Sequence, residues 1–326
     1  MYKLNYFDSC GDRKRMSLVQ LLKQRWDEIY EKSDVFKYKI DTMQFMTLDG
    51  KYLLQLNPDR GVKRRTPEQI DSICQPFDRT KFNFTKIAEN EIMFHIIDDE
   101  DEKTHLLLVN VSPISRYHSL LCPYVDDCLP QVVTEKSLRL ALQLMFIAND
   151  RNLRIGFNSL CGLASVNHLH YHLLIEKNCL PVETLRCSAI KGNLHRTDDD
   201  YPTQAFCFGV RSRSEVTTIC RDAYRVLAFL LKRSVAHNIF VTRGRDAVAG
   251  RGDAEVVRVL IWPRISASGA KQLAAFNVAV CELNGWFPIF NEHDYNHLKR
   301  EDLENELRKW RIEEFDSLCE QLKLIF

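Results

Sequence analysis

The sequence predicts an α+β fold, a mixed and mostly antiparallel sheet covered by helices and built from two related halves. Three observations carry this. The order helix, strand, loop, strand occurs twice, over residues 133–176 and again over 214–262. Short apolar runs separated by turn signals crowd residues 81–123, as consecutive strands do. Amphipathic helical spacing marks both ends of the chain.

Leu18, Leu21, Leu22, Trp26 and Ile29 recur at helical spacing, so residues 16–32 read as a helix whose apolar stripe docks on the main body. Residues 33–80 hold Asn57-Pro58, Gly61, the basic run Lys63-Arg64-Arg65 and Thr66-Pro67. They read as a long irregular segment wrapping the domain, with the basic run solvated. Next, Phe82-Asn83-Phe84 alternates, Ile92 to Ile97 is apolar, and Asp98 to Glu102 forms an acidic turn. Leu106 to Val109 then runs into Asn110 and the Ser112-Pro113 break. Residues 133–150 place Leu138, Leu142, Met145 and Phe146 on one helical face, and strands are read at Arg154–Asn158 and His168–Glu176. Residues 178–204, with Pro181, Asp198-Asp199-Asp200 and Pro202, read as a surface connection. The second cycle has a strand at Phe206–Val210, a helix over 214–236, a strand over 237–243, a Gly/Arg loop to Asp253 and a strand at Val256–Trp262. Arg251-Gly252-Asp253 is taken as loop. Residues 299–323 end the chain as one amphipathic helix.

The chemistry gathers in the first half. His168, His170 and His172 stand at every second position, with Leu169, Tyr171 and Leu173 between and after them. Strict period two puts three imidazoles on one face of a strand. A core or surface strand is the bland reading, and three of the chain's ten histidines in register argue against it. A metal site is the second, since neutral imidazole ligates zinc. Strand geometry opposes it: residues two apart lie roughly 6.7 Å from each other, so His168 and His172 are about 13 Å apart and cannot all meet one ion. The third reading is a polyanion lying along the row, with one neutral imidazole attacking phosphorus and its neighbours donating to phosphoryl oxygens. The loop Ser159–Ser165, with Gly162 and Ala164, would bring backbone N–H groups close to such a ligand. The third reading is favoured.

Ser165-x-x-His168-Leu169-His170-Tyr171-His172-Leu173-Leu174 resembles the histidine-triad pattern. Asn158-Ser159 followed by Gly162-Leu163-Ala164-Ser165-Val166-Asn167-His168 is similar to the GDP-hexose phosphorylases, relatives of galactose-1-phosphate uridylyltransferase. Supporting runs are Lys81-Phe82-Asn83-Phe84-Thr85-Lys86, Val109-Asn110-Val111-Ser112-Pro113, Phe240-Val241-Thr242-Arg243-Gly244 and Phe276-Asn277-Val278-Ala279-Val280-Cys281-Glu282-Leu283. Uridylyltransferases and the plant phosphorylases carry Gln at the third position of the row; His172 stands there as in the animal branch, whose substrate is GDP-glucose.

The resemblance implies two histidine-triad-like halves, a degenerate second copy, and His170 as the nucleophile. It implies GDP-hexose and inorganic phosphate as partners: glucose 1-phosphate leaves, and phosphate releases GDP from a guanylyl-histidine. Ser165, His168 and His172 would neutralise phosphoryl charge, with the His170 proton held on Nδ1 by a nearby carbonyl. Asn158 would tie the loop or touch phosphate. Asn110 stands where relatives carry a ribose-binding acid, and His118 on the nucleotide side. Tyr117 occupies a position that is usually Gly in relatives, which predicts a loop of different shape. The scheme calls for no cofactor and no metal. A metal-dependent hydrolase, another acceptor such as water or a sugar phosphate, and a non-catalytic guanine-nucleotide-binding protein are the alternatives.

Composition narrows the class. Hydrophobic content of 45% and charged content of 27% are those of a globular protein, and a net charge of +1 makes no case for nucleic-acid or membrane-surface binding. No apolar run approaches the roughly 20 residues that span a bilayer, and Met1–Arg15 shows no secretory apolar core. Eleven scattered cysteines without a C-x-x-C pair favour reduced thiols and the cytoplasm. Residues 1–32 are set apart as the docking helix, and 33–326 as one catalytic domain with halves at about 81–177 and 205–290. Oligomeric state stays open, a homodimer included.

Overall fold

A computed structural model describes residues 2–3, 16–63, 68–97, 102–246, 254–267 and 275–326. Arg64 to Pro67, Asp98 to Asp101 and Arg251-Gly252-Asp253 lie outside them. Behind the short strand β1 (Tyr2–Lys3), helix α1 (Leu18–Lys32) forms where expected. Ser17 and Gln20 cap it reciprocally, and Leu18, Leu22, Trp26 and Ile29 are buried against the body.

Residues 33–80 depart from the irregular wrap that their Pro and Gly predicted. They contain β2 (Gln44–Leu48), β3 (Tyr52–Leu56) and α2 (Pro58–Lys63). Asp49 and Gly50 both take left-handed backbone, φ 50° and 65°, so a primed turn folds the two strands into a hairpin. Phe82-Asn83-Phe84 is likewise not a strand. The Asn83 side chain accepts the Thr85 N–H and starts a single 3-10 turn at Phe84–Lys86.

The remaining strands are β4 (Ile92–Ile97), β5 (Thr104–Val109), β6 (Ser119–Cys122), β7 (Leu153–Asn158) and β8 (Tyr171–Ile175) in the first half. They are followed by β9 (Cys187–Lys191), β10 (Leu194–Thr197), β11 (Phe206–Val210), β12 (Ala236–Arg245), β13 (Glu255–Arg264) and β14 (Trp286–Ile289). Helix α3 (Glu135–Ala148) precedes β7, and α4 (Val216–Lys232) precedes β12. Eleven strands form one sheet in the order β1-β4-β5-β6-β8-β7-β12-β13-β11-β10-β9, antiparallel except for the β1–β4 pair. The halves meet where Ile155–Asn158 of β7 pairs with Asn238–Val241 of β12. Strand β14 pairs in parallel with β3 to make a second, three-stranded sheet.

Two further expectations are corrected. Residues 178–204 are not merely a surface connection: Gly192, at φ 57°, turns β9 onto β10 at the sheet edge. Short helices α5 (Val280–Leu283) and α6 (Glu292–His297) precede two terminal helices, α7 (Arg300–Arg308) and α8 (Phe315–Lys323), where one was expected. The interruption lets the Trp310 carbonyl accept the Ile265 N–H beyond β13, while the Trp310 ring packs under Arg264. Tyr117 itself adopts φ 67°, a backbone conformation that glycine takes freely. That conformation is costly for a bulky residue; an edge-to-face contact with Trp26, with the Tyr117 hydroxyl on Asp27, holds it. No described helix is long and apolar enough to cross a membrane.

Candidate active site

The histidines do not form one straight row. Strand β8 begins only at Tyr171, because Leu169 and His170 pair with the preceding loop instead of with a strand. The Leu169 N–H donates to the Leu129 carbonyl, and the His170 N–H to Gln131 Oε1 at 2.8 Å. Gln131 Nε2 donates in turn to the carbonyls of His170 and Asn158 at 3.1 and 3.0 Å. One buried amide thus replaces a strand neighbour and holds the middle histidine.

A cleft opens beside it, lined by His170, His172, Asn158, Ser165 and Asn110. His168 and His118, expected to face substrate, are not among the residues that line it. The His168 ring is buried between Phe77 and Phe84, and its Nδ1 accepts the Phe84 N–H at 3.0 Å. His118 is fully buried; its Nδ1 accepts the Ile114 N–H at 2.9 Å, and its Nε2 lies 3.0 Å from His172 Nδ1.

Backbone groups decide the tautomers. His170 Nδ1 lies 2.8 Å from the His168 carbonyl, an acceptor only, so the proton sits on Nδ1 and Nε2 keeps its lone pair. In His118 the Ile114 N–H occupies Nδ1, so the neutral ring carries its proton on Nε2 and donates it to His172 Nδ1. His172 must then be protonated on Nε2. Neighbouring imidazoles therefore present opposite faces, a bare lone pair at 170 and a donor at 172.

Asn158 stands beside that donor, with Nδ2 3.4 Å from His172 Nε2. Its orientation is set by Oδ1, which accepts from Asn238 Nδ2 at 2.5 Å and from the Val280 N–H at 3.0 Å. Two N–H donors side by side suit a shared anionic oxygen. Asn110 turns Oδ1 to the Ser112 N–H at 3.0 Å, leaving its amide nitrogen 3.2 Å from His118 Nε2. The small-residue loop plays another part than expected. Gly162 and Ala164 spend their N–H groups on the Ser159 carbonyl. A Cβ at Gly162 would lie 2.7 Å from the His237 carbonyl and 2.7 Å from Ser159 Oγ, so this glycine serves packing on β12, not approach of a ligand.

Two further groups complete the lining. Phe82, Phe84, Leu108, Leu120 and Val166 form an apolar end, with Phe84 packed 5.1 Å from the His170 ring. Asn277, Ala279, Val280 and Glu282 approach from the Asn158 side, together with Arg60. Arg60 is the one lysine or arginine in the wall among the described residues, and it donates to the Ser112 carbonyl. Gln131, Asn238 and Arg60 belong to no alternating or spaced motif, and only the fold brings them here. No three His, Cys, Asp or Glu residues among those described converge as a metal site would need.

Burial keeps His170 neutral. Desolvation lowers the His170 pKa to about 4, partly offset by the His168 carbonyl, and burial lowers His168 similarly to about 4. His170 is therefore free base at every pH well above 4. The acid limb of kcat/KM for nucleotide substrate should lie below about pH 5, whereas an ordinary imidazole would titrate near 6.5. The stability sign follows. The unfolded chain takes up the proton first, so stability falls as pH drops from about 6.5 toward 4. Melting temperatures at pH 7, 5 and 4 should decline in that order; an acid limb near pH 6.5 would contradict the assignment.

Fold and histidine constellation together define the class, an enzyme of the histidine-triad type. The yeast Ap4A phosphorylase Apa2 with bound Ap4A has the same fold, with a TM-score of 0.62 at 14% identity, covering 91% of this chain and 99% of that one. The family models "GDPGP1-like, N-terminal domain" and "GDPGP1-like, C-terminal domain" match residues 17–174 and 197–323, and the chain belongs to this family. It is 36% identical to GDP-D-glucose phosphorylase 1 of Danio rerio over 322 residues, 95% of this chain and 92% of the relative. The human GDP-D-glucose phosphorylase 1 is 36% identical over 277 residues, 81% of this chain and 72% of the relative. GDP-L-galactose phosphorylase 2 of Arabidopsis thaliana is 35% identical over 194 residues, 53% of this chain and 44% of the relative.

Proposed function

We propose that this chain is a GDP-D-glucose phosphorylase, converting GDP-glucose and inorganic phosphate to GDP and glucose 1-phosphate. The single observation that carries the mechanism is the opposed tautomers of His170 and His172. In the first step, His170 Nε2 forms a bond to the α-phosphorus while the bond to the glucose 1-phosphate oxygen breaks. In the second, an inorganic phosphate oxygen displaces the imidazole and GDP is released. The leaving group is already a stable anion, so the residues mainly spread charge over equatorial oxygens. His172 Nε2–H, the Asn158 amide, Ser165 and Arg60 are the groups for that task, and Asn110 lies within the same cleft for the ribose. His168 and His118 position them. The relatives' printed names support the choice of substrate, and the scattered cysteines support a cytoplasmic location. We take residues 33–326 as one catalytic domain against which α1 docks.

The test is to incubate the protein with GDP-glucose with and without phosphate and to resolve GDP from GMP. GDP should form only with phosphate, and glucose 1-phosphate should not exceed one equivalent of the protein without phosphate. Without it, labelled glucose 1-phosphate should exchange into GDP-glucose, and guanine label should remain on the denatured protein under non-acidic conditions. Catalytic GMP release without phosphate would mark a hydrolase, and absence of both exchange and adduct would sink the covalent scheme.

A further inference from the structure

Two carboxylates line the cleft, and they stand in different surroundings. Glu282 is buried on α5 and accepts the Ala279 N–H at 2.9 Å, so it serves its own helix start beside Asn158. Glu91 is partly exposed and immediately precedes Ile92. Ile92 packs in one apolar cluster with Phe84, Leu108, Leu120 and Val166, which form the end of the cleft next to His170. An aromatic and aliphatic slot suits the faces of a planar base, and such a slot needs few polar groups to select its occupant. Glu91 is the only acid at that end among the described residues.

The chemistry of the edge then chooses the base. An ionised carboxylate only accepts hydrogen bonds, through two oxygens. Guanine presents two adjacent donors on its Watson–Crick edge, N1–H and the 2-amino group, a match for both oxygens. Adenine places an acceptor at N1, where it would face the carboxylate's lone pairs. Uracil offers a single N–H between two carbonyls. We infer that Glu91 is the specificity-determining residue that reads guanine, with the base held against Phe84 and the hexose directed toward the Arg60 and Asn277 side. This inference rests on the proposed activity, whose substrate is a guanine nucleotide. It also explains why one Glu91 oxygen is held in place, since Oε1 accepts the Ala88 N–H at 3.2 Å.

Equilibrium binding of GDP, IDP and ADP tests it without requiring turnover. The unaltered protein should bind GDP about 10- to 100-fold more tightly than IDP, which lacks the 2-amino group, and discriminate further against ADP. In Glu91→Gln the GDP affinity should fall by about the same factor and the GDP-to-IDP ratio should approach one. The melting temperature should hold, because glutamine keeps an acceptor for Ala88. With GDP-glucose, the loss should appear in KM while kcat changes by less than about threefold, since the reacting phosphorus is elsewhere. Glu91→Asp, which retains the charge, should recover part of the preference. A Glu91→Gln protein that still prefers GDP over IDP overturns the assignment, as does unaltered protein that binds GDP and ADP equally. If the preference depends on Glu91 but GDP-glucose is not phosphorolysed, the activity falls and the base reading stands.

Discussion

His170→Ala should lower kcat/KM for GDP-glucose phosphorolysis by about 10⁴-fold or more, while GDP affinity changes by only a few fold. The magnitude follows from the tautomers. No neighbour can replace the lost lone pair, because His172 carries its proton on Nε2 through the relay from the Ile114 N–H and His118. His168 is equally unable, with its ring behind the wall and its Nδ1 occupied by the Phe84 N–H. The donors proposed to hold the phosphates all remain, so binding should survive. Steady-state kinetics with GDP-glucose, alongside titration with GDP, separates the two effects. Turnover within tenfold of the unaltered protein would mean that another group attacks phosphorus, or that phosphate attacks directly.

The largest stability effect should come from Glu183→Ala, at about 3–5 kcal/mol, with a fall in melting temperature of roughly 10 °C. Glu183 and Arg154 are both buried, with Nη2 and Nε of Arg154 at 2.7 and 2.9 Å from Glu183 Oε1. The Thr242 hydroxyl donates to the same oxygen at 3.0 Å, so β7, β12 and the turn before β9 share one charge. Removing the acid strands a buried guanidinium whose other donors still bind the Asn152 and Asn178 carbonyls at 2.8 and 2.9 Å. Arg154→Met combined with Glu183→Leu should recover most of the loss, because it removes both charges and keeps volume. Differential scanning calorimetry on the single and double variants decides this. A Glu183→Ala protein melting within about 2 °C of the unaltered one would show that water reaches Arg154.

Periodicity made the large elements readable. Helices α1, α3 and α4 carry apolar stripes that only a helix can bury on one side, and β7, β12 and β13 carry apolar runs bounded by turn residues. Elements shorter than about six residues were less legible, since a few residues fit several patterns equally. The β2–β3 hairpin has its signal in Asp49-Gly50 and the β9–β10 hairpin in Gly192-Asn193, both amid residues that otherwise look like loop. Phe84 shows the opposite error. Its alternation with Phe82 fits a strand, but the Asn83 side chain bonds the backbone locally and turns the chain instead.

The order of His168, His170 and His172 belongs to the sequence alone, and with it the expectation that an imidazole meets an extended anion. A one-dimensional pattern can set which residue types alternate, because side-chain direction follows from local backbone. Which nitrogen bears each proton was decided by the tertiary structure, through Ile114, His118, the His168 carbonyl and Gln131. These partners approach from separate segments, and a hydrogen bond between distant residues leaves no period in the chain. The same reason hid Glu91, Arg60 and Asn238, which become neighbours of the cleft only when the sheet closes the distance between them.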